Sequence, residues 1–424
     1  MKKPASTEGT TMPALQFDFK IGKLAKSKWR GRKDPRGYWK PGGAITLRQV
    51  PRPTLVADDW LILKTALCGI CGSDEKEITL GGAADNPLPS FITFPHTIGH
   101  EVVGTVDQVG PAVTTVTPGD RVAVYPVLSC KPRGISPECP RCQQGDYNHC
   151  QNFKRGNLPV GMTLGTAGPF GGYAPFVAIH ESQAFRIPDG VSFEQAVLAD
   201  PFAVAFHACL LLDPQPDQTI LIFGLGTIGL ATVLLLRHVF GVKHILGVDR
   251  YQFPMEKALE YGAKKVFTSS GNQLIEEIGA YLGIKLVKPF YGPKWGMDGV
   301  DGIIDCVGAG ATFEVGLRVS HTKTRMVFLG VSKPVRFEWT PWYFKEISIH
   351  GSNGAGLETL EGKTQNAFQF YLDFLAAGRI DPAEMLTHTF PLVEYAKAFE
   401  VVTSKAKSNA IKVAFDFTQD SMLT

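Results

Sequence analysis

An α/β chain is what the sequence predicts: a β-rich, barrel-like first part joined to a doubly wound parallel sheet. Three observations carry this expectation. From Ala44 to Val127, short β-branched and apolar pieces alternate with Gly/Pro turns, as at Leu61–Ala66, Val102–Val109 and Arg121–Val124. Short strands at such spacing read as a barrel-like all-β unit. After residue 218 the texture changes, and strand-like runs alternate with helix-like ones, the pattern of a parallel sheet with helical crossovers. At the first of these strand-to-helix junctions stands Gly224-Leu225-Gly226-Thr227-Ile228-Gly229.

Along the chain the elements are justified as follows. Residues 20–40 carry nine cations, Lys20, Lys23, Lys26, Lys28, Arg30, Arg32, Lys33, Arg36 and Lys40, against Asp34 alone. Interrupted by Gly and Pro, this stretch reads as a solvated loop, with contact to an anionic partner as the lesser alternative. Pro188-Asp189-Gly190 is a turn signal before an apolar helical stretch, Ser192–Leu211. Thr219–Phe223 is a strand, followed through the Gly-rich turn by a helix to Phe240. Strands at His244–Val248, Lys265–Thr268, Gly302–Cys306 and Arg325–Leu329 continue the pattern, with a helix at Tyr251–Tyr261. Residues 271–300 are long for one connection and suggest an insertion. After about residue 355 the chain is mixed α/β, and no repeat is visible.

Composition narrows the function classes. With 424 residues, 44% hydrophobic and 20% charged, the chain is globular and large enough for two or three domains. A net charge of +3 is too mild to argue for nucleic acid. The uncharged run Thr219–Leu236 reaches the lower length limit of a membrane span but contains the glycine turn, so no membrane partner is expected. No apolar stretch follows the lysines at the start, and the expected location is the cytoplasm. Eight cysteines in such a chain argue for thiols and metal rather than disulfides.

The Gly-rich turn reads as a dinucleotide site. Gly224 permits the tight turn, Gly226 lets the backbone approach a pyrophosphate, and Gly229 allows close helix–strand packing. The helix opening at Thr227 and Ile228 offers N–H groups and a positive dipole end to the anion. Asp249, at the end of the second strand, is placed to bond the ribose hydroxyls and would repel a 2′-phosphate, which favours NAD over NADP. Arg250 beside it pulls the other way.

Two metal sets follow. Cys139, Cys142 and Cys150, with Cys130 upstream, give four thiolates on one loop, as a closed structural zinc site requires. The gap Lys131–Glu138 makes Cys130 the odd member. The second set is dispersed: Cys71 in Gly69–Asp74, His100-Glu101 after Gly99, and Asp200 before Pro201. A thiolate, an imidazole and a carboxylate suit zinc and leave one position open for a substrate oxygen. Cys68, Cys209 and Cys306 read as core thiols, and His207 as a structural partner.

These pieces together resemble the zinc-dependent medium-chain alcohol dehydrogenase superfamily. The carrying stretches are GHEVVGTVDQVGPAV, GICGSD, the cysteine lobe, LADPFAVAFHAC, GLGTIG and GIIDCVG. The ligand pattern is most similar to the sorbitol, threonine and glucose dehydrogenase branch. The resemblance implies a GroES-like β-barrel catalytic domain, 1–198 and 355–424 with a zinc lobe at 130–150, around a Rossmann domain at 199–354.

It also implies roles. Cys71 and His100 would be zinc ligands, and Glu101 a nearby carboxylate able to bind zinc or exchange with water. Asp200 stands where that branch carries a glutamate. Ser73 would start proton release, and Asp74 would orient His100. Where relatives have a relay histidine, this chain has Lys76.

The activity implied is NAD(P)-linked oxidation of a small-molecule alcohol to a carbonyl, with two zinc ions per chain in a dimer or tetramer. An NAD-retaining dismutase on the same scaffold and a non-catalytic member are the rival readings. For substrate contacts, the loop 77–98 and the cluster Trp339, Trp342 and Tyr343 are candidates, though core packing is the commoner fate of such aromatics.

Overall fold

The computed structural model describes residues 11–81, 85–330 and 337–418. Its first layer is a seven-stranded sheet. The strands run in the order Leu386–Phe390, Lys412–Asp416, Trp60–Gly69, Glu101–Val109, Arg121–Val124 and Ala184–Arg186, with Phe176–His180 also pairing on Trp60–Gly69. Trp60–Gly69 is buried at every position but Lys64, which explains why apolar residues dominate on both sides of that lysine. In register, Gly69 faces Glu101 on one side and Ala414 on the other. One end of this sheet therefore gathers the segments leading to Cys71, His100 and Lys412.

The second sheet has six parallel strands, ordered Lys265–Phe267, His244–Val248, Thr219–Phe223, Val300–Asp305, Ser320–Phe328 and Ser348–Gly351. In chain order this is third, second, first, fourth, fifth, sixth. The strand order reverses between Thr219–Phe223 and Val300–Asp305, where such sheets open a crevice at their C-terminal edge. The Gly-rich turn sits there. The uncharged run Thr219–Leu236 is thus a strand and a helix, Thr227–His238. Among the described residues no helix is long and apolar enough to cross a membrane.

The helical stretch expected at Ser192–Leu211 is two helices, Phe193–Ala196 and Ala199–Leu212. The first opens with a capping box in which Ser192 and Gln195 satisfy each other's backbone N–H groups. The second shares a core with Thr227–His238 and Ala367–Ala376. The long connection 271–300 contains a helix, Gly271–Leu282, and a bridge between Val287 and Trp295.

Residues 20–40 are not a loop. Ile21–Gly31 is a helix and Pro35–Trp39 a 3-10 turn, and a strand that the sequence did not suggest, Thr11–Phe17, precedes them. The cations hide a narrow inward stripe. Ser27 accepts a hydrogen bond from the Ala44 N–H at 3.0 Å, and the Tyr38 ring lies where any side chain at Gly31 would stand. Trp39 then packs edge-on against Phe399, with centroids 5.8 Å apart. Tertiary contact rather than helix propensity makes this helix.

The aromatic cluster also differs from expectation. It lies on and beside the short helix Thr340–Lys345, where Trp339 and Tyr343 face outward and Trp342 packs on the parallel-sheet core.

Candidate active site and metal centres

Cys71 caps the short helix Gly72–Ile78, and Asp74 holds that cap together. Asp74 Oδ2 accepts from the Cys71 N–H at 2.9 Å and from the Tyr173 hydroxyl at 2.7 Å. Its Oδ1 lies 3.5 Å from His100 Nδ1. Burial alone would raise the Asp74 carboxyl, but His100, Tyr173 and the Cys71 N–H hold it below the usual carboxylate range. With Nδ1 turned to Asp74, His100 is left with Nε2 for a metal, the arrangement that outer carboxylates impose on ligating histidines. Cys71, His100 and Glu101 bring their donor atoms within 4.8 Å of one another.

Glu101 is buried at the start of its strand and forms an ion pair with Lys412, whose Nζ also donates to the Ile70 carbonyl at 3.2 Å. Gly69 makes room for the pair, because a Cβ there would overlap the Glu101 carboxylate. Removing one partner of a buried pair strands the other charge, at a cost of about 3–5 kcal/mol. Lys412→Met is therefore expected to destabilise the protein by about that amount, and Glu101→Gln in the same chain to recover most of it. Denaturant titrations of the two single variants and the double variant check this.

Asp200, in the first turn of Ala199–Leu212, is not within the 4.8 Å group. It belongs to the same electrostatic neighbourhood. Burial pushes its carboxyl up to about 6, with His100 and Lys412 pulling down and Glu101 and Asp74 pushing up. Ser73 is exposed at the second position of the Cys71-capped helix, and Lys76 lies one turn further on. His207 pairs with Glu358 at 2.7 Å, a structural role as expected. The segment 77–98 returns from this helix to His100. Thr93 ties it to the Val160 carbonyl at 2.8 Å, while residues 82–84 lie outside the described residues.

The cysteine lobe forms the second centre. Cys130, Cys139, Cys142 and Cys150 are all buried, with donor atoms within 4.8 Å of one another, so Cys130 lies with the others despite its spacing. N–H groups point at the sulfurs: Cys139 N and Asn152 Nδ2 donate to Cys130 Sγ at 3.3 Å, and Asn152 N to Cys150 Sγ at 3.4 Å. Four converging sulfurs with such donors fit zinc. Apart from the sulfurs, the lobe's cluster includes only the partly buried Ile135 and Tyr147. Arg133, fully buried, ties its base by donating to the carbonyls of Leu128, Arg155 and Leu158 at 3.0, 3.0 and 3.3 Å.

At the parallel-sheet crevice, Gly224 has φ +82°, and a Cβ on Gly229 would overlap the Gly224 carbonyl. Around Gly226 there is open space on the ligand side of the turn, and it caps the helix that starts at Thr227. Gly226 and the N–H groups of Thr227 and Ile228 thus form a cradle that fits a pyrophosphate. Asp249 Oδ2 accepts from Leu225 N at 2.7 Å, and its Oδ1 from Arg250 N and Tyr251 N at 2.7 and 3.0 Å. The carboxylate is thereby fixed at the strand end. The Arg250 guanidinium lies 5.6 Å from the centroid of the Tyr251 ring.

Sequence reasoning missed Tyr173 and Lys412. Tyr173 carried no signal, being 99 residues from its partner Asp74. Lys412 did: a lone cation opening the apolar strand Lys412–Asp416 needs a buried partner.

Comparison with known proteins agrees with this fold. Residues 57–189 match the alcohol dehydrogenase GroES-like domain, and residues 227–376 the zinc-binding dehydrogenase domain. The L-idonate 5-dehydrogenase of Vitis vinifera is 31% identical over 353 residues, covering 82% of this chain and 85% of its own. The sorbitol dehydrogenase of Arabidopsis thaliana is 29% identical, over 82% of this chain and 86% of its own. A structure from E. coli CFT073, described as a short chain alcohol dehydrogenase complexed with NADH, superposes with TM-score 0.73 at 27% identity. It covers 96% of this chain and 100% of its own. A zinc-binding dehydrogenase structure from Sinorhizobium meliloti 1021, bound to NADP, has TM-score 0.70 at 25% identity, over 96% of this chain and 99% of its own.

The chain belongs to the zinc-dependent medium-chain alcohol dehydrogenase superfamily, in its sorbitol dehydrogenase branch. It is an NAD(P)-linked alcohol dehydrogenase, with a GroES-like catalytic domain and a Rossmann domain.

Proposed function

We propose that this enzyme oxidises a secondary hydroxyl of a polyol or vicinal diol to a ketone, with NAD as hydride acceptor and two zinc ions per chain. One ion would be held by Cys71, His100 and a carboxylate, the other by the four-cysteine lobe. The observation that carries this reading is the convergence of Cys71, His100 and Glu101, apart from the closed four-sulfur set. A zinc ion held by Cys71, His100 and a carboxylate would supply Lewis acidity toward the alcohol, and a nicotinamide dinucleotide held at the Gly224–Gly229 turn would supply the hydride acceptor.

The chain's own residues do the positioning. Asp74 and Tyr173 hold the Cys71 cap and the His100 ring. Lys412 holds the Glu101 carboxylate, which converges with Cys71 and His100, and Asp200 is the second carboxylate candidate in the same electrostatic neighbourhood. Ser73 takes the alcohol proton toward solvent, and with Lys76 in place of a relay histidine the proton leaves from there to water. The substrate class rests on the carboxylate-bearing site and on relatives that act on idonate, sorbitol and butanediol. Comparing kcat/KM on polyols, vicinal diols and simple primary alcohols tests it: preference for the primary alcohols would contradict the reading.

Asp249 supports NAD. Asp249→Ser removes the carboxylate that opposes a 2′-phosphate, and the NADP to NAD ratio of kcat/KM is expected to rise at least about tenfold. Steady-state kinetics with both cofactors reads this directly. We also infer a homo-oligomer, dimer or tetramer. Supporting it, the strand Ser348–Gly351 is an exposed edge of the six-stranded sheet with Ile349 outward, and such edges ask for a partner. Light scattering on the purified enzyme checks this.

A further inference from the structure

We propose that the helix Ile21–Gly31 is a docking surface for an anionic lipid membrane, holding the enzyme peripherally at that surface. The helix form, which sequence reasoning took for a loop, is what gathers the features. Its inner side, at Ser27 and Gly31, packs on the Ala44 backbone and the Tyr38 ring of the following turn. Its outer side carries Ile21 and Trp29, 83% and 65% exposed and two turns apart on one face. Lys26 and Lys28 stand beside them, and Arg32 and Lys33 continue just past the helix end. Among the described residues none of these four cations has an ion-pair partner, and Lys33 Nζ lies 5.2 Å from the centroid of the Trp29 ring. By contrast, the nearby carboxylates are engaged: Asp18 with Lys23 and Arg48, Asp34 with Arg36.

Charge complementarity selects the partner. Residues 20–40 hold nine cations and one carboxylate in a chain whose net charge is only +3, so the remainder is net acidic. The net positive charge is thus concentrated in this segment. A basic patch alone would suit any polyanion. Exposed indole and isoleucine among the cations add the element that an acyl–headgroup boundary accepts and a phosphate backbone does not require. The contact is peripheral and spans nothing.

The test uses the full-length, zinc-loaded enzyme and sedimentation with vesicles of phosphatidylcholine alone or with about one-third phosphatidylserine. Wild type is expected to bind the anionic vesicles, to release them at high salt, and to leave the neutral ones. Each cation near such a surface contributes about fivefold to partitioning, so K26E/K28E/R32E/K33E is expected to lower it at least about a hundredfold. Trp29→Phe is expected to abolish a blue shift in tryptophan emission that wild type shows on anionic vesicles. Both variants are expected to keep wild-type melting temperature and zinc content, because none of these side chains reaches a metal centre. The proposal is overturned by absence of vesicle binding at low salt, by equal binding to neutral vesicles, or by charge reversal without effect. It is also overturned if duplex DNA or RNA binds where vesicles do not.

Discussion

Cys71→Ser is expected to lose one of two zinc equivalents and to lower kcat/KM by about a thousandfold or more, while the melting temperature stays close to wild type. Among the ligand candidates, Cys71 supplies the only thiolate in the dispersed set; its backbone N–H donates to the Asp74 carboxylate, and its sulfur accepts from the Asp74 N–H, a cap bond that a serine hydroxyl also accepts. Replacing sulfur with a hydroxyl therefore removes a metal donor and leaves the cap in place. A Lewis acid of this kind contributes several kcal/mol to transition-state stabilisation, and a thousandfold corresponds to about 4 kcal/mol. Metal analysis beside steady-state kinetics reads both quantities. Full zinc with full turnover would move the reaction away from this set.

Cys142→Ser is expected to act in the opposite way. It should also cost one zinc equivalent, but the loss falls on stability. Among the described residues the lobe buries four sulfurs with only Ile135 and Tyr147 as apolar neighbours, and polar ties from Arg133 and Asn148 hold its flanks, so the apolar packing at its centre is small. With the ligand set broken, the lobe opens. Cys130, Cys139 and Cys150 are left without a common partner, and the contact from Gly145 to the hairpin of strands Leu357–Leu360 and Lys363–Asn366 loosens. That contact is the Leu357 N–H donating to the Gly145 carbonyl at 2.9 Å. A loss of about 3–5 kcal/mol would lower the melting temperature by roughly 10 °C. Limited proteolysis is expected to cut first within the lobe, and thermal denaturation measures the shift. A variant that keeps wild-type melting and protease resistance would show that the lobe stands without its metal.

The two centres were legible because their chemistry is written in residue types that have few other uses at such spacing. Four cysteines on one loop, and Cys71, His100 and Glu101 in glycine-flanked segments, needed no tertiary information to be selected. The parallel strands were legible for a related reason: His244–Val248 is a short apolar run bounded by turns, and it forms a strand over those same residues. Where the determinants are tertiary, the reading failed. The helix Ile21–Gly31 has no side-chain cap and a cation-rich outer face, and it exists because Tyr38 and Ala44 receive its inner stripe. Tyr173 and Lys412 join the site from distant strands and segments, and only the sheet register brings Lys412 beside Gly69 and Glu101. Asp200 shows the limit from the other side, since its motif nominates it as a ligand while the structure leaves it outside the converging set.

The most direct test of the account is net NADH formation by the zinc-loaded enzyme supplied with polyols and vicinal diols in the presence of added NAD. The account predicts stoichiometric NADH and ketone, abolished by Cys71→Ser. Turnover of substrate with NAD retained on the protein and no net NADH would contradict it and point to a redox-neutral reaction on the same scaffold.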